Sequence, residues 1–315
     1  MPKTHHARKP VNAHLLNASL RSVFERRIYL SQNILVSQDL SCFGQVSLLT
    51  ALPLLSASGL NVTALPTALL STHTGGFGQN TYLDLSHEMG QIINHWHELN
   101  LTFSAVYLGY LGQQPLHQLL ARLPKITDPD SMILLDPVMG DHGKLYQGFD
   151  QSYVTDMRAL LPQAHVLTPN LTEAAFLLGQ PELSHGGLVA AKLAVKELHD
   201  QFQVPVVLVT GVPVNEQEIA VVGQTKEQPL WTEIRPRIAA NYFGTGDIFA
   251  AALFAGLLHG LSAQKASIAA MDLLSHAITV RQSEPEIDPR LGINYSQALP
   301  QFLQQINKGA HFNER

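Results

Sequence analysis

The chain has 315 residues, 45% of them hydrophobic and 14% charged, enough apolar material for one large α/β domain or two smaller ones. No run of 18 apolar residues occurs, so no transmembrane helix is expected, and the formal charge of −5 is unevenly placed: residues 1–30 hold six Lys and Arg against one acid, leaving 14 basic and 24 acidic residues in the remainder. A body of that sign has no reason to attract nucleic acid or an acidic membrane surface, and the lone Cys42, unable to form an internal disulfide, points to a reducing, cytoplasmic setting.

Residues 1–30 mix His, Lys, Arg, Asn and Pro without sustained periodicity, which predicts a disordered or loosely attached arm ahead of one domain over 31–310. Ile34-Leu35-Val36 reads as the first strand. Gly44 to Ala57 carries apolar residues at helical spacing, and 62–66 reads as a second strand. Residues 71–80, Ser-Thr-His-Thr-Gly-Gly-Phe-Gly-Gln-Asn, are too glycine-rich for an element interior and predict a loop free to move. Helices follow over 85–100 and 114–123, with a strand at Ala105–Leu108 between them and another at Met132–Leu135. A helix over 151–161, a short strand at Val166-Leu167 and helices near 171–178 and 187–199 lead to the β-branched strand Val204–Val209. Segments 218–222 and 229–235 predict a hairpin, and helices over 244–258, 262–279 and 296–307 close the chain.

Short strands alternating with longer helices predict a mostly parallel sheet covered on both faces, with ligands beyond the strands' carboxyl ends. Asp39, Tyr110, Asp136, Asn170 and Thr210 all stand at such ends, which suggests one shared cleft. Gly244-Thr245-Gly246-Asp247 opens an apolar helix. Glycines and unpaired first-turn amides suit phosphate oxygens, and Asp247 can take a proton from an attacking alcohol. The same helix end is expected to lower the Asp247 pKa. Asp136, before Pro137, suits Mg²⁺ held largely through water and phosphates, or else forms an Asx-type turn. Asn170 and Glu173 read as a capping box, with an alternative role for Glu173 beside hydrated Mg²⁺. His73 gains interest only from its loop. No zinc-ligand spacing, Walker A motif or GxSxG elbow is present.

These pieces, in order, resemble the pyridoxal kinase family within the ribokinase-like superfamily. The resemblance runs from about Asn33 to Ala277 through Asn33-Ile-Leu-Val-Ser-Gln-Asp-Leu-Ser-Cys-Phe-Gly, Leu65-Pro-Thr-Ala-Leu-Leu-Ser-Thr-His-Thr, Gly109-Tyr-Leu-Gly, Asp136-Pro-Val-Met-Gly, Thr168-Pro-Asn-Leu-Thr-Glu, Val209-Thr-Gly and Gly244-Thr-Gly-Asp. It implies a three-layer α/β/α domain with a mostly parallel sheet and transfer of the ATP γ-phosphate to the 5'-hydroxymethyl of pyridoxal, pyridoxine or pyridoxamine. It also implies a homodimer and Mg²⁺, with a monovalent cation such as K⁺. By motif, Asp247 matches the catalytic base, and Gly244, Thr245 and Gly246 the anion hole. Asp136 and Glu173 match residues that organise metal and phosphates, while Asn170, Thr210 and Thr245 match nucleotide contacts. Thr67, His73 and Tyr110 match the pyridoxal pocket. Asp39 departs from the pattern: pyridoxal kinases carry a serine there, and the related hydroxymethylpyrimidine kinases an Asp. A pyrimidine or dual vitamin kinase is therefore the second reading. A catalytically silent ligand-binding member is the third, against which the intact Gly-Thr-Gly-Asp stands.

Overall fold

The computed structural model describes residues 33–238 and 242–311, so the arm expected over 1–30 lies outside the described residues. In chain order the strands are β1 (Asn33–Ser37), β2 (Leu40–Ser41), β3 (Asn61–Ala64), β4 (Ala68–Leu70), β5 (Tyr82–Asp84), β6 (Phe103–Leu108), β7 (Thr127–Leu135), β8 (Gly140–Asp141), β9 (Lys144–Leu145), β10 (Val166–Leu167), β11 (Val206–Pro213), β12 (Glu218–Thr225) and β13 (Trp231–Pro236). The helices are α1 (Ser47–Ala57), α2 (Ser86–Glu98), α3 (Gln113–Arg122), α4 (Gln151–Leu160), α5 (Leu171–Leu178), α6 (Gly187–Phe202), α7 (Thr245–Leu258), α8 (Ala263–Gln282) and α9 (Leu299–His311).

The main sheet runs β13-β12-β11-β10-β7-β6-β1-β3. It is parallel from β11 to β3, and β12 and β13 add an antiparallel edge. Its central strands are unbroken apolar runs because both faces are covered. Along β1, Ile34 and Val36 enter one core, whereas Leu35 enters the other. The core that takes Leu35 packs under α2 to α6, and the one that takes Ile34 and Val36 packs under α1, α7, α8 and α9, which makes the three layers. Helix α7 is buried on nearly every side from Ile248 to Gly256, as an all-apolar helix must be.

The structure departs from the sequence reading in local ways. The second strand stops at Ala64, because Leu65 and Pro66 lead into β4 of a separate small sheet ordered β2-β4-β5. The strand expected at Met132 starts at Thr127, and a hairpin of β8 and β9 follows Asp136-Pro137. The first helix starts at Ser47 rather than Gly44, after Val46 in extended conformation.

Candidate active site

Chain order reverses at β1: the chain steps outward to β3, then returns to β6 on β1's other side. Such a switch point opens a crevice at the strands' carboxyl ends. The five expected polar residues all stand along that edge. Asp39 follows β1, Tyr110 follows β6, and Asp136 follows β7 with its N–H on the Leu108 carbonyl at 2.8 Å. Asn170 and Thr210 form a parallel bridge just beyond β10 and within β11.

Two helices aim their N-termini at this crevice. Gly244, at φ +80°, starts α7, and Asp247 lies in its first turn. Ser47, the first residue of α1, donates its N–H to Asp247 Oδ2 at 2.9 Å. Ser47 itself sits at φ 47°, a left-handed conformation uncommon for a residue with a side chain. Converging helix N-termini favour anions. The expected lowering of the Asp247 pKa is nonetheless overturned. Desolvation pushes it up to about 7, with the Asp39 charge adding to the rise and the Ser47 N–H opposing it. Loss of water around the carboxylate outweighs the helix end.

Asp136 is buried, at 7% exposure. Burial, then the charge of Asp247, raises its pKa, and the Thr168 hydroxyl partly offsets them. The Asx-type turn is not formed, since Val138 N–H donates to the Asp136 backbone carbonyl and leaves the carboxylate for the crevice. The capping box is present. Asn170 Oδ1 accepts the Glu173 N–H at 2.9 Å, and Glu173 Oε2 accepts the Asn170 N–H at 2.9 Å. Glu173 Oε1 also accepts the Met139 N–H at 3.2 Å, and Asn170 Nδ2 donates to the Gly140 carbonyl at 2.9 Å. Both Glu173 oxygens therefore hold backbone amides, and burial with the nearby Asp136 raises its pKa. Thr210 donates weakly to the Pro169 carbonyl at 3.5 Å. Thr245 and Gly246 supply first-turn amides of α7.

On the other side of Asp247, Asp39 is 4% exposed and accepts the Ser41 hydroxyl at 2.8 Å. Burial raises its pKa, against hydrogen bonds from Ser47 and Ser41. Ser37 points away, donating to the Leu65 carbonyl at 2.9 Å. Thr67 is fully buried and donates to the Tyr110 carbonyl at 3.1 Å, so it shapes the wall through the backbone. The Tyr110 ring lies 5.4 Å from Phe149, and burial, then Tyr82 and Asp39, raises its phenol pKa. His73 is buried with both ring nitrogens engaged: Nε2 with the Arg290 carbonyl at 2.6 Å and Nδ1 with the Gly75 N–H at 3.1 Å. The loop expected to be free is thereby tied down.

Sequence reasoning missed Ser47, Tyr82 and Phe243, whose roles arise only from tertiary contact. Position at a helix start was the one available signal for Ser47. It also missed Gln38, fully buried and packed where Gly109 has no side chain. Among the described residues no group of three or more His, Cys, Asp or Glu is arranged to hold a metal. One free carboxylate with a second behind it still fits Mg²⁺, which keeps waters and binds mainly through substrate phosphates.

The sequence profile of the phosphomethylpyrimidine kinase family matches residues 54–289. The chain is 30% identical to a pyridoxine/pyridoxal/pyridoxamine kinase of Bordetella avium over 75% of its length and 81% of that protein's. It resembles the structure of a candidate phosphomethylpyrimidine kinase from Bacteroides thetaiotaomicron in a crystal form with pyridoxal, at 35% identity and TM-score 0.81, covering 86% of this chain and 95% of that one. The pyridoxal kinase of Lactobacillus plantarum is similar at 34% identity and TM-score 0.81, over 87% and 97% of the two chains.

Proposed function

We infer, from a chain that belongs to the phosphomethylpyrimidine kinase family, an ATP-dependent kinase that phosphorylates the 5'-hydroxymethyl of pyridoxal, pyridoxine or pyridoxamine. One observation carries this: likeness to vitamin B6 kinases over most of both chains. The acceptor alcohol lies against Asp247, which takes its proton as the oxygen attacks the γ-phosphorus; the bond from that phosphorus to the bridging oxygen breaks, and ADP leaves. Backbone amides of Gly244, Thr245 and Gly246 hold the transferring phosphoryl oxygens, where developing charge is greatest. Asn170, Thr210 and Thr245 border the nucleotide. Thr67, His73 and Tyr110 frame the acceptor pocket. Asp136 would hold Mg²⁺, with Glu173 acting through water because its oxygens already serve backbone amides. Bound Mg²⁺ supplies charge neutralisation for the phosphates. The reading also includes a monovalent cation such as K⁺, which would add to that neutralisation.

The same reading includes a cytoplasmic homodimer. The exposed apolar side chains of Phe43, Leu69, Tyr82 and Leu83 around the small sheet support the dimer. No helix among the described residues is long and apolar enough to cross a membrane.

A dual preference, for hydroxymethylpyrimidine as well, is favoured by Asp39. Its buried carboxylate beside the acceptor pocket can meet an amino group or a protonated ring nitrogen. Coupled ADP-release assays with the three B6 vitamers and hydroxymethylpyrimidine, on wild type and Asp39→Ser, test both readings. Wild type should turn over at least one vitamer. Asp39→Ser should shift the kcat/KM ratio toward pyridoxal by roughly 5- to 150-fold, the effect of one charged hydrogen bond. No turnover of any B6 vitamer refutes the main reading, and an unchanged ratio removes Asp39 from the pocket.

A further inference from the structure

A short strap after α8 has no part in the chemistry above, yet it meets both sides of the site. It consists of Asp288, the 3-10 turn Pro289–Leu291 and Gly292. Arg290 gives Nε and Nη2 to Asp288, at 3.0 Å to each carboxylate oxygen and 2.6 Å. Its remaining nitrogen, Nη1, donates to the Gly76 carbonyl at 3.1 Å. The guanidinium carbon lies 4.6 Å from the centre of the Phe77 ring. The Arg290 backbone carbonyl takes the His73 Nε2 proton, which fixes the ring's Nδ1 as acceptor for Gly75. Three residues of the Gly-rich loop, His73, Gly76 and Phe77, therefore hang on this one residue.

The strap's other side reaches the anion loop through Gln45. Gln45 donates its N–H to the Leu291 carbonyl at 2.8 Å. The Gln45 carbonyl is wedged between Gly244 and Gly292, where a Cβ would lie 2.5 and 2.6 Å from it. Two residues on, Ser47 holds Asp247. Phe243, just before Gly244, lies 4.6 Å from the His73 ring and fills the space a Gly75 side chain would need. The strap thus links the loop over the acceptor to the loop that grips phosphate.

An ion pair with side chains 45% and 35% exposed is by itself worth little. Here the pair does something else. By occupying one edge of the guanidinium, Asp288 fixes its plane, so that the other edge meets Gly76 and the face meets Phe77. We propose that Arg290, oriented by Asp288, is a positioning residue that holds loop 71–80 closed over the acceptor pocket, its guanidinium acting through Gly76 and Phe77 beside the backbone bond to His73. That the loop borders an acceptor rests on the kinase reading above.

The test uses the full chain and the variants Arg290→Gln, Arg290→Lys and Asp288→Asn. Amide hydrogen exchange of residues 71–80 is measured without ligands, and KM and kcat are measured with the best vitamer. Arg290→Gln should speed exchange and raise the acceptor KM by about 5- to 10-fold, as expected for loss of one charged hydrogen bond and one exposed cation–π contact. kcat and the nucleotide KM should stay within about twofold. Asp288→Asn should move the same quantities less. Arg290→Lys keeps the charge but lacks the planar fork, so it should recover under half of the loss. Unchanged exchange and KM in Arg290→Gln would overturn the proposal. So would full rescue by Lys, or a fall in kcat that tracks a fall in melting temperature. If wild type phosphorylates no acceptor, the kinase reading fails, and the exchange data still decide whether Arg290 holds the loop.

Discussion

At the scale of single residues, burial and like charge set the behaviour of Asp247. As the proposed base, with a pKa near 7, it would work close to neutral pH, where both its deprotonated fraction and its basicity are useful. Its proton must be off for it to accept another, so kcat/KM should climb as pH rises through about 7 and then level. A flat profile between pH 5.5 and 8.5 would contradict this. Asp247→Asn keeps an oxygen for the Ser47 N–H but removes the proton acceptor. kcat should fall by roughly 10²–10⁴, with nucleotide Kd within a few-fold because the anion hole is backbone. Stability should move the other way. The folded protein binds this proton more tightly than the unfolded chain, so the contribution is full below about pH 4 and is lost as pH rises through 7. At pH 8 the wild type carries the unfavourable charge and the Asn variant does not. The variant should therefore be more stable at pH 8 by about 1–3 kcal/mol, after discounting for contact with water in the cleft, and indistinguishable at pH 4. Paired thermal melts at the two pH values check this.

At the scale of elements, what the sequence made legible depended on how local the cause was. The capping box of α5 was readable because both partners lie within one turn: Asn170 and Glu173 bond reciprocally. Asn170→Ala should cost about 1–2 kcal/mol in urea unfolding, since an N-cap is lost along with the bond to Gly140. An unchanged midpoint would mean that Glu173 alone secures the helix end. The strands of the main sheet were readable from apolar runs bounded by polar strand ends, and so was the edge on which Asp39, Asp136 and Thr210 gather. The small sheet was not, because β2 has two residues and β4 three, too few to show a period. The raised pKa of Asp247 was also beyond reach, since desolvation comes from tertiary packing, and the Asp39 charge and the opposing Ser47 N–H come from 200 residues away and more. The strap around Arg290 carried no signal beyond Asp-Pro-Arg, which reads as an ordinary turn.

At the scale of the whole molecule, the two ends of the chain should differ in importance. Strand β1 begins at Asn33 and is paired on both sides, with β3 and β6, and the described residues fill both cores. We propose that a domain over 31–310 folds and works without residues 1–30. Deleting them should leave kcat and the unfolding midpoint within error. A large fall in melting temperature would overturn this. The other end is built in. Ile293, Tyr295, Phe302 and Ile306 are buried in the core beneath α1, α7 and α8, and the Tyr295 hydroxyl donates to the Thr50 carbonyl at 2.8 Å. Each such side chain contributes about 1.5–3 kcal/mol by burial. Together they approach the whole stability of a typical domain, about 5–15 kcal/mol. Truncation before Ile293 should therefore leave little folded protein at 37 °C. It would also uncover the strap at Gly292 and the N-terminal half of α1, which lead to Ser47 and Asp247. A truncated chain that kept a cooperative melt would show that α9 covers a core complete without it.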